Sequence, residues 1–258
     1  MRRLVCAALL TLLAVPALSA LVAAPVEYRH GDEVLEGYLA YDDALAGKRP
    51  GILVVHEWYG LNDYTRSRTE QLARMGYVAF AADIYGKGKR ADDAQGAQHL
   101  AGVFWQDQTL LRARAQAGLD QLRAHALVDR DRVVAVGYCF GGTTVLELAR
   151  ISAPVKGVVS FHGGLKTAQP EATAGVKPKV LVLHGADDPF IPAADIAAFQ
   201  EEMRRGGADW QMVFYGGAQH SFSNPAADGT LPGAVYEEKA DRRSWEHMKV
   251  FLSELFRP

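Results

Sequence analysis

Cysteine is nearly absent from this sequence, with two in 258 residues. One of them, Cys6, lies in an N-terminal apolar run, so the body of the chain keeps Cys139 alone. A single thiol excludes a disulfide framework, and the fold must rest on its hydrophobic core. Zinc-ligand spacing is also missing. There is no H-x-x-x-H and no cysteine pair, so His56, His162 and His184 read as structural residues at strand ends. His30, His99, His125 and His247 read as structural or surface residues. An excess of either charge is lacking as well. A net charge of -2 gives no reason to expect nucleic acid or an anionic membrane as partner. No internal repeat, linker or break in composition divides the body of the chain. Its length and its 49% hydrophobic content suit one sizeable α/β domain.

The one long apolar run is N-terminal. Met1-Arg2-Arg3 is basic, Leu4 to Val15 is apolar but short for a bilayer span, and Pro16 with small residues follows to Ala24. This pattern reads as a signal peptide over 1–24 with cleavage near Ser19 or Ala20, since Pro25 would obstruct a cut after Ala24. An uncleaved anchor is the alternative. The expectation is an exported protein, periplasmic or secreted, with no membrane span after processing and a single domain over 25–258. A lone thiol retained in an oxidising compartment hints that the thiol is used.

From Val26 the chain reads as a hairpin (26–29 and 34–40 around His30-Gly31-Asp32), then strands alternating with helices. Buried strands are expected at 51–56, 77–82, 133–136, 155–161, 179–184 and 210–215. Helices are expected at 62–75, 92–126 with a break near Gly102, 143–150, 195–205 and 233–256. Alternation of this kind means a mainly parallel twisted sheet with helices on both faces.

Within that pattern, Val136-Gly137-Tyr138-Cys139-Phe140-Gly141-Gly142 joins a valine-rich strand to a helix through a sharp turn. This is the layout of the G-x-S-x-G nucleophile elbow with cysteine in place of serine. The helix N-terminus favours a thiolate there. Glu57, Cys139, Asp188 and His220 each follow the C-terminal end of an expected strand. In an open α/β sheet those ends form one crevice. The order of nucleophile, acid and histidine is that of the α/β-hydrolases. His220 would supply the base that a mostly protonated thiol needs, and Asp188 would orient its imidazole. Asp187 is the rival to Asp188, which is preferred because it precedes the turn Pro189-Phe190-Ile191-Pro192.

On these residues the sequence resembles the dienelactone hydrolase family. The motifs that carry the resemblance are Val55-His56-Glu57-Trp58-Tyr59-Gly60-Leu61-Asn62, Asp83-Ile84-Tyr85-Gly86, the Cys139 elbow, His184-Gly185-Ala186-Asp187-Asp188-Pro189-Phe190-Ile191-Pro192 and Gly217-Ala218-Gln219-His220-Ser221-Phe222. The resemblance implies an α/β-hydrolase fold and a Cys139, His220, Asp188 triad. It implies that Glu57 contacts the resting thiol and helps form the thiolate. It implies an oxyanion hole of the Trp58 and Phe140 backbone N–H groups, with no metal or organic cofactor. Tyr85, Lys87 and Asn224 fall at substrate-binding positions. Family members that act on dienelactone hold its carboxylate with two arginines, where this chain has Lys87 and Asn224. Lysine lacks the bidentate fork and asparagine lacks the charge, so the chemistry transfers more safely than the substrate does. The expected activity is hydrolysis of a small-molecule carboxylic ester or lactone by a monomer. A thioester or polyester hydrolase, or a catalytically silent binding module of the same fold, are the alternatives.

Overall fold

Valine, leucine and alanine fill the centre of the sheet so densely that its strands are buried on both faces, as a helix-covered parallel sheet requires. The computed structural model describes residues 21–257. Along the chain come β1 (Leu21–His30), β2 (Glu33–Asp42), β3 (Arg49–Val55), α1 (Asp63–Arg74), β4 (Val78–Ala82), α2 (Ala94–Gln106) and α3 (Gln108–Ala124). There follow β5 (Val128–Tyr138), α4 (Phe140–Arg150), β6 (Gly157–Phe161), β7 (Lys179–Gly185), α5 (Ala193–Gly206), β8 (Trp210–Tyr215) and α6 (Glu238–Leu255). The strand order is β1-β2-β4-β3-β5-β6-β7-β8. β1 and β2 pair antiparallel, β2 joins β4 antiparallel, and the remaining pairings are parallel.

The pleat divides each strand between two cores. On one face Leu53, Val55, Phe80 and Ala135 pack with Leu111 and Leu119 of α3, Val145 of α4 and Phe199 of α5. On the other, Ile52, Val54, Val134 and Val136 pack with Leu72 of α1 and Met248 and Leu252 of α6. One buried ionic knot lies within the first layer. Arg150 reaches Glu202 at 2.7 Å, Glu147 at 2.8 Å and the Leu165 carbonyl at 2.7 Å. Arg112 bonds the same Glu147 at 2.7 Å. Each buried charge therefore has an opposite partner, and the knot clamps α3, α4 and α5 to the segment after β6.

Several boundaries differ from the sequence expectation. β1 begins at Leu21, which pairs with Asp42, so the strand starts ahead of the expected Val26. The expected cleavage site near Ser19 or Ala20 lies outside the described residues. The break in the long helical stretch falls at Asp107 and not near Gly102. The Asp107 side chain accepts from the Leu110 N–H at 2.9 Å and starts a new helix, a stronger signal than an interior glycine. The last helix starts at Glu238, where the Glu237 carboxylate caps the Ala240 N–H at 2.6 Å. Residues 233–237 instead run beside the His220 loop, with Val235 N–H on the His220 carbonyl at 2.9 Å.

Two glycines provide a paired test. A Cβ on Gly141 would overlap the Val55 carbonyl, which is backbone and cannot give way, whereas one on Gly102 in α2 would meet nothing within 4 Å. Gly141→Ala should destabilise by about 3 kcal/mol, as severe overpacking does. Gly102→Ala should stabilise by about 0.5–1 kcal/mol through helix propensity. Urea denaturation of both variants checks the pair. Equal effects would show that the elbow tolerates bulk.

Candidate active site

The site is built where β3, β5, β7 and β8 end. At the tip of β5, Cys139 has a φ of 53°, a strained setting for a residue with a side chain, and it caps α4. The tight turn from strand to helix points its sulfur into the crevice. From the loop after β8, His220 Nε2 lies 3.1 Å from Cys139 Sγ. His220 Nδ1 donates to Asp188 Oδ2 at 2.8 Å, from the loop after β7. The other Asp188 oxygen accepts the Phe190 N–H at 2.9 Å, so the turn anticipated there does aim the carboxylate. Asp187 is exposed and makes no such approach. Burial opposes charge on His220, but the Cys139 sulfur and the Asp188 carboxylate outweigh it and push its pKa up to about 10.

Glu57 is buried at the end of β3. Its carboxylate is held by Asn224 Nδ2 at 2.5 Å, with Ser221 Oγ more distant at 3.5 Å. Burial raises its pKa, and the Asn224, His220 and Ser221 contacts only partly offset this. The expected pairing of Glu57 with the resting thiol is not the one the structure holds: the sulfur faces His220. Asn224 is likewise engaged with Glu57 rather than presented to a substrate.

The turn after Glu57 is fixed by a histidine. His56 Nε2 accepts the Ile84 N–H at 3.2 Å, which leaves the proton on Nδ1 to be donated to the Glu57 carbonyl at 2.6 Å. That carbonyl and the Trp58 N–H belong to one planar trans peptide and face opposite ways. Pinning the carbonyl on His56 therefore turns the Trp58 N–H away from it. Tyr85 bonds the Trp58 carbonyl at 2.9 Å and holds the next peptide unit. Phe140 is the first residue of α4, so its N–H has no intrahelical partner. The Tyr85, Phe140 and His56 rings pack together, with Phe104 beneath them.

Lys87 does not join this group. Its ammonium pairs with Glu27 and lies 3.7 Å from Glu36, on the antiparallel hairpin at the sheet edge. Sequence reasoning missed that neighbour because it depends on β2 crossing beside β4. It also passed over the surroundings of His162, which receives the Cys139 N–H at 3.2 Å. The string His162-Gly163-Gly164 after a strand is the only trace of that role. Ser223 and Tyr64, its further partners, carry no signal of their own. Among the described residues no cluster of histidine, cysteine and carboxylate is arranged to hold a metal.

The model of the dienelactone hydrolase family matches residues 35–256. The solved structure called m3DLH is similar to this chain at 42% identity and a TM-score of 0.89, over 92% of this chain and 100% of that one. A dienelactone hydrolase-like promiscuous phosphotriesterase from metagenomic libraries is 40% identical with a TM-score of 0.88, over the same shares of the two chains. A Bradyrhizobium protein named as a probable 2-oxo-3-(5-oxofuran-2-ylidene)propanoate lactonase is 27% identical across 84% of this chain and 89% of that protein.

The charge on His220 depends on the sulfur beside it, which gives a direct measurement. The His220 ring resonance of the intact protein should titrate near pH 10. In Cys139→Ala its midpoint should fall, because burial then works against charge with only Asp188 in support. An unchanged titration curve would show that the sulfur does not set the state of the ring.

Proposed function

This chain belongs to the dienelactone hydrolase family, and from that footing we propose that it cleaves carboxylic esters or lactones through a Cys139, His220, Asp188 triad and an acyl-enzyme. The fold is the α/β-hydrolase fold, and hydrolysis of ester or lactone bonds is the activity class that family and relatives support. The observation that carries the finer reading is the continuous hydrogen-bonded line from Asp188 through His220 to the sulfur, 2.8 Å and then 3.1 Å, at the end of adjacent strands.

In this reading the proton of the Cys139 thiol rests on His220, and the thiolate sulfur attacks the carbonyl carbon of the substrate. The carbonyl oxygen takes up negative charge and is met by the Trp58 and Phe140 N–H groups. As the intermediate collapses, the leaving alkoxide takes the proton from His220 and a thioester to Cys139 remains. Water then gives a proton to His220 and adds to the thioester carbon, and collapse of this second intermediate releases the acid and restores the thiolate beside a protonated His220. Asp188 keeps the imidazole in the tautomer that both steps need. Glu57 is assigned to thiolate formation, with Asn224 orienting it. Tyr85, Trp58 and Phe140 are assigned to the wall of the acyl site. Lys87 and Asn224 are occupied by glutamates, so the reading does not use them to bind a substrate carboxylate. The name of the metagenomic relative adds phosphotriesters to the substrates worth assaying. The basic and apolar leader supports export as part of the same proposal.

Iodoacetamide should label the mature protein at Cys139 and abolish hydrolysis of short-chain aryl esters in step with labelling. Full activity after complete labelling would end the proposal. Glu57→Gln should lower turnover by about 10²–10⁴-fold, the range for general-base contributions, with a much smaller effect on melting temperature. Wild-type turnover in that variant would remove Glu57 from the chemistry. Protein recovered from its native host should begin near Ala20 or Leu21, whereas an intact Met1 on cytoplasmic protein would refute export.

A further inference from the structure

His162 follows the last residue of β6, is fully buried, and has a φ of 39°. A non-glycine residue held there is strained and persists only where its surroundings over-determine it. The surroundings do so through an ordered chain of protons. The Cys139 N–H, shared with the Phe161 carbonyl at 3.0 Å, reaches His162 Nδ1 at 3.2 Å. An amide can only donate, so Nδ1 carries no proton and Nε2 carries it. The 2.7 Å contact from Nε2 to Ser223 Oγ is therefore a donation. The Ser223 hydroxyl in turn donates to Tyr64 Oη at 2.7 Å, and Tyr64 donates to the Ser223 carbonyl at 3.1 Å. Arg68 supports the far end, giving Nη2 to that carbonyl at 2.6 Å and holding an ion pair with Asp241.

Ser223 lies three residues after His220 in the same loop. The chain of bonds thus runs from the nucleophile's own backbone to the loop of the base, with His162 as the link. The His162 ring also lies edge-on to the His220 ring, with centroids 5.3 Å apart. The charged or titratable groups facing it include His220, Arg68 and His184, with the Tyr138 ring 6.3 Å away and Tyr64 reached through Ser223. Burial, with those neighbours, pushes its pKa well below the usual histidine value, so it stays neutral beside a His220 that carries charge. A proton on Nδ1 would also set a donor against the Cys139 N–H.

We propose that His162 is a positioning residue that bolts the Cys139 elbow to the His220 loop and so fixes the separation of nucleophile and base. The proposal rests on the reading of Cys139 and His220 as nucleophile and base. A histidine that merely filled space would not need a defined tautomer, and its loss would affect activity only through stability.

The test compares His162→Leu with His162→Asn, using para-nitrophenyl acetate as the probe. Asparagine offers an acceptor near the position of Nδ1 and tolerates positive φ, whereas leucine keeps bulk and offers nothing. His162→Leu should lose about 10²-fold in kcat with KM within about threefold, as misplacement of a reacting group does. His162→Asn should recover kcat to within about tenfold of wild type although its smaller side chain lowers the melting temperature. Activity that simply follows melting temperature through both variants would overturn the proposal. If His162→Leu does not fold, Ser223→Ala carries the test, because it leaves Nε2–H without its acceptor. It should lower kcat by about tenfold, and wild-type kcat would overturn the proposal. Cys139→Ala is assayed alongside. An active Cys139→Ala would sink the nucleophile reading and this proposal with it. An inactive Cys139→Ala beside a fully active, folded His162→Leu would sink this proposal alone.

Discussion

At the elbow, the first turn of α4 lies against the end of β3, and Gly141 has no room for a side chain over the Val55 and His56 carbonyls. Gly137 is closed in the same way by the Gly141 backbone. This close passage is what lets Cys139 sit at the tip of β5 while Glu57 and Trp58, at the end of β3, stand beside it. A methyl group at either glycine would push the two turns apart. The sulfur would then shift, and its 3.1 Å distance to His220 would change with it. Strain at Cys139, with its φ of 53°, is the cost of the arrangement, and the buried packing of Phe140 and Tyr85 offsets it.

The loops that complete the site are flexible types of segment made rigid by buried polar bonds. Arg150 clamps the segment after β6 through the Leu165 carbonyl, and Arg68 clamps the His220 loop through the Ser223 carbonyl. Both arginines are almost wholly buried, and both are balanced by carboxylates on neighbouring helices. Placing a guanidinium under a loop carbonyl does what a strand pairing would do elsewhere, and leaves the loop's outer side free. His56 plays the equivalent part for the Glu57–Trp58 turn.

What was legible in the sequence was what repeats along the chain. Apolar runs that precede Glu57, Cys139, Asp188 and His220 placed four side chains at one edge of a parallel sheet, and their order suggested their grouping. What was not legible depended on side chains meeting across elements. Lys87 was expected near a substrate, but its reach to Glu27 and Glu36 follows from the hairpin crossing beside β4. Asn224 was expected to face substrate as well, yet it meets Glu57 from a loop far along the chain. The helix break at Asp107 and the start of α6 at Glu238 show the same limit at shorter range. In both places a capping carboxylate outweighed the glycine or the apolar pattern. The tautomers of His56 and His162 are set wholly by which atoms oppose each nitrogen, and no pattern in sequence encodes that.

The isolation of Cys139 bears on how long such a molecule survives. It is the only free cysteine among the described residues, and its sulfur lies 3.1 Å from the His220 imidazole. The thiolate is also the form that peroxides attack. A sulfenic acid formed there has no second thiol among the described residues with which to close a disulfide, so repair depends on a reductant from outside. Without one, the next oxidation gives a sulfinic acid and is irreversible. Under oxidising conditions the molecule's working lifetime would then be set by this one sulfur.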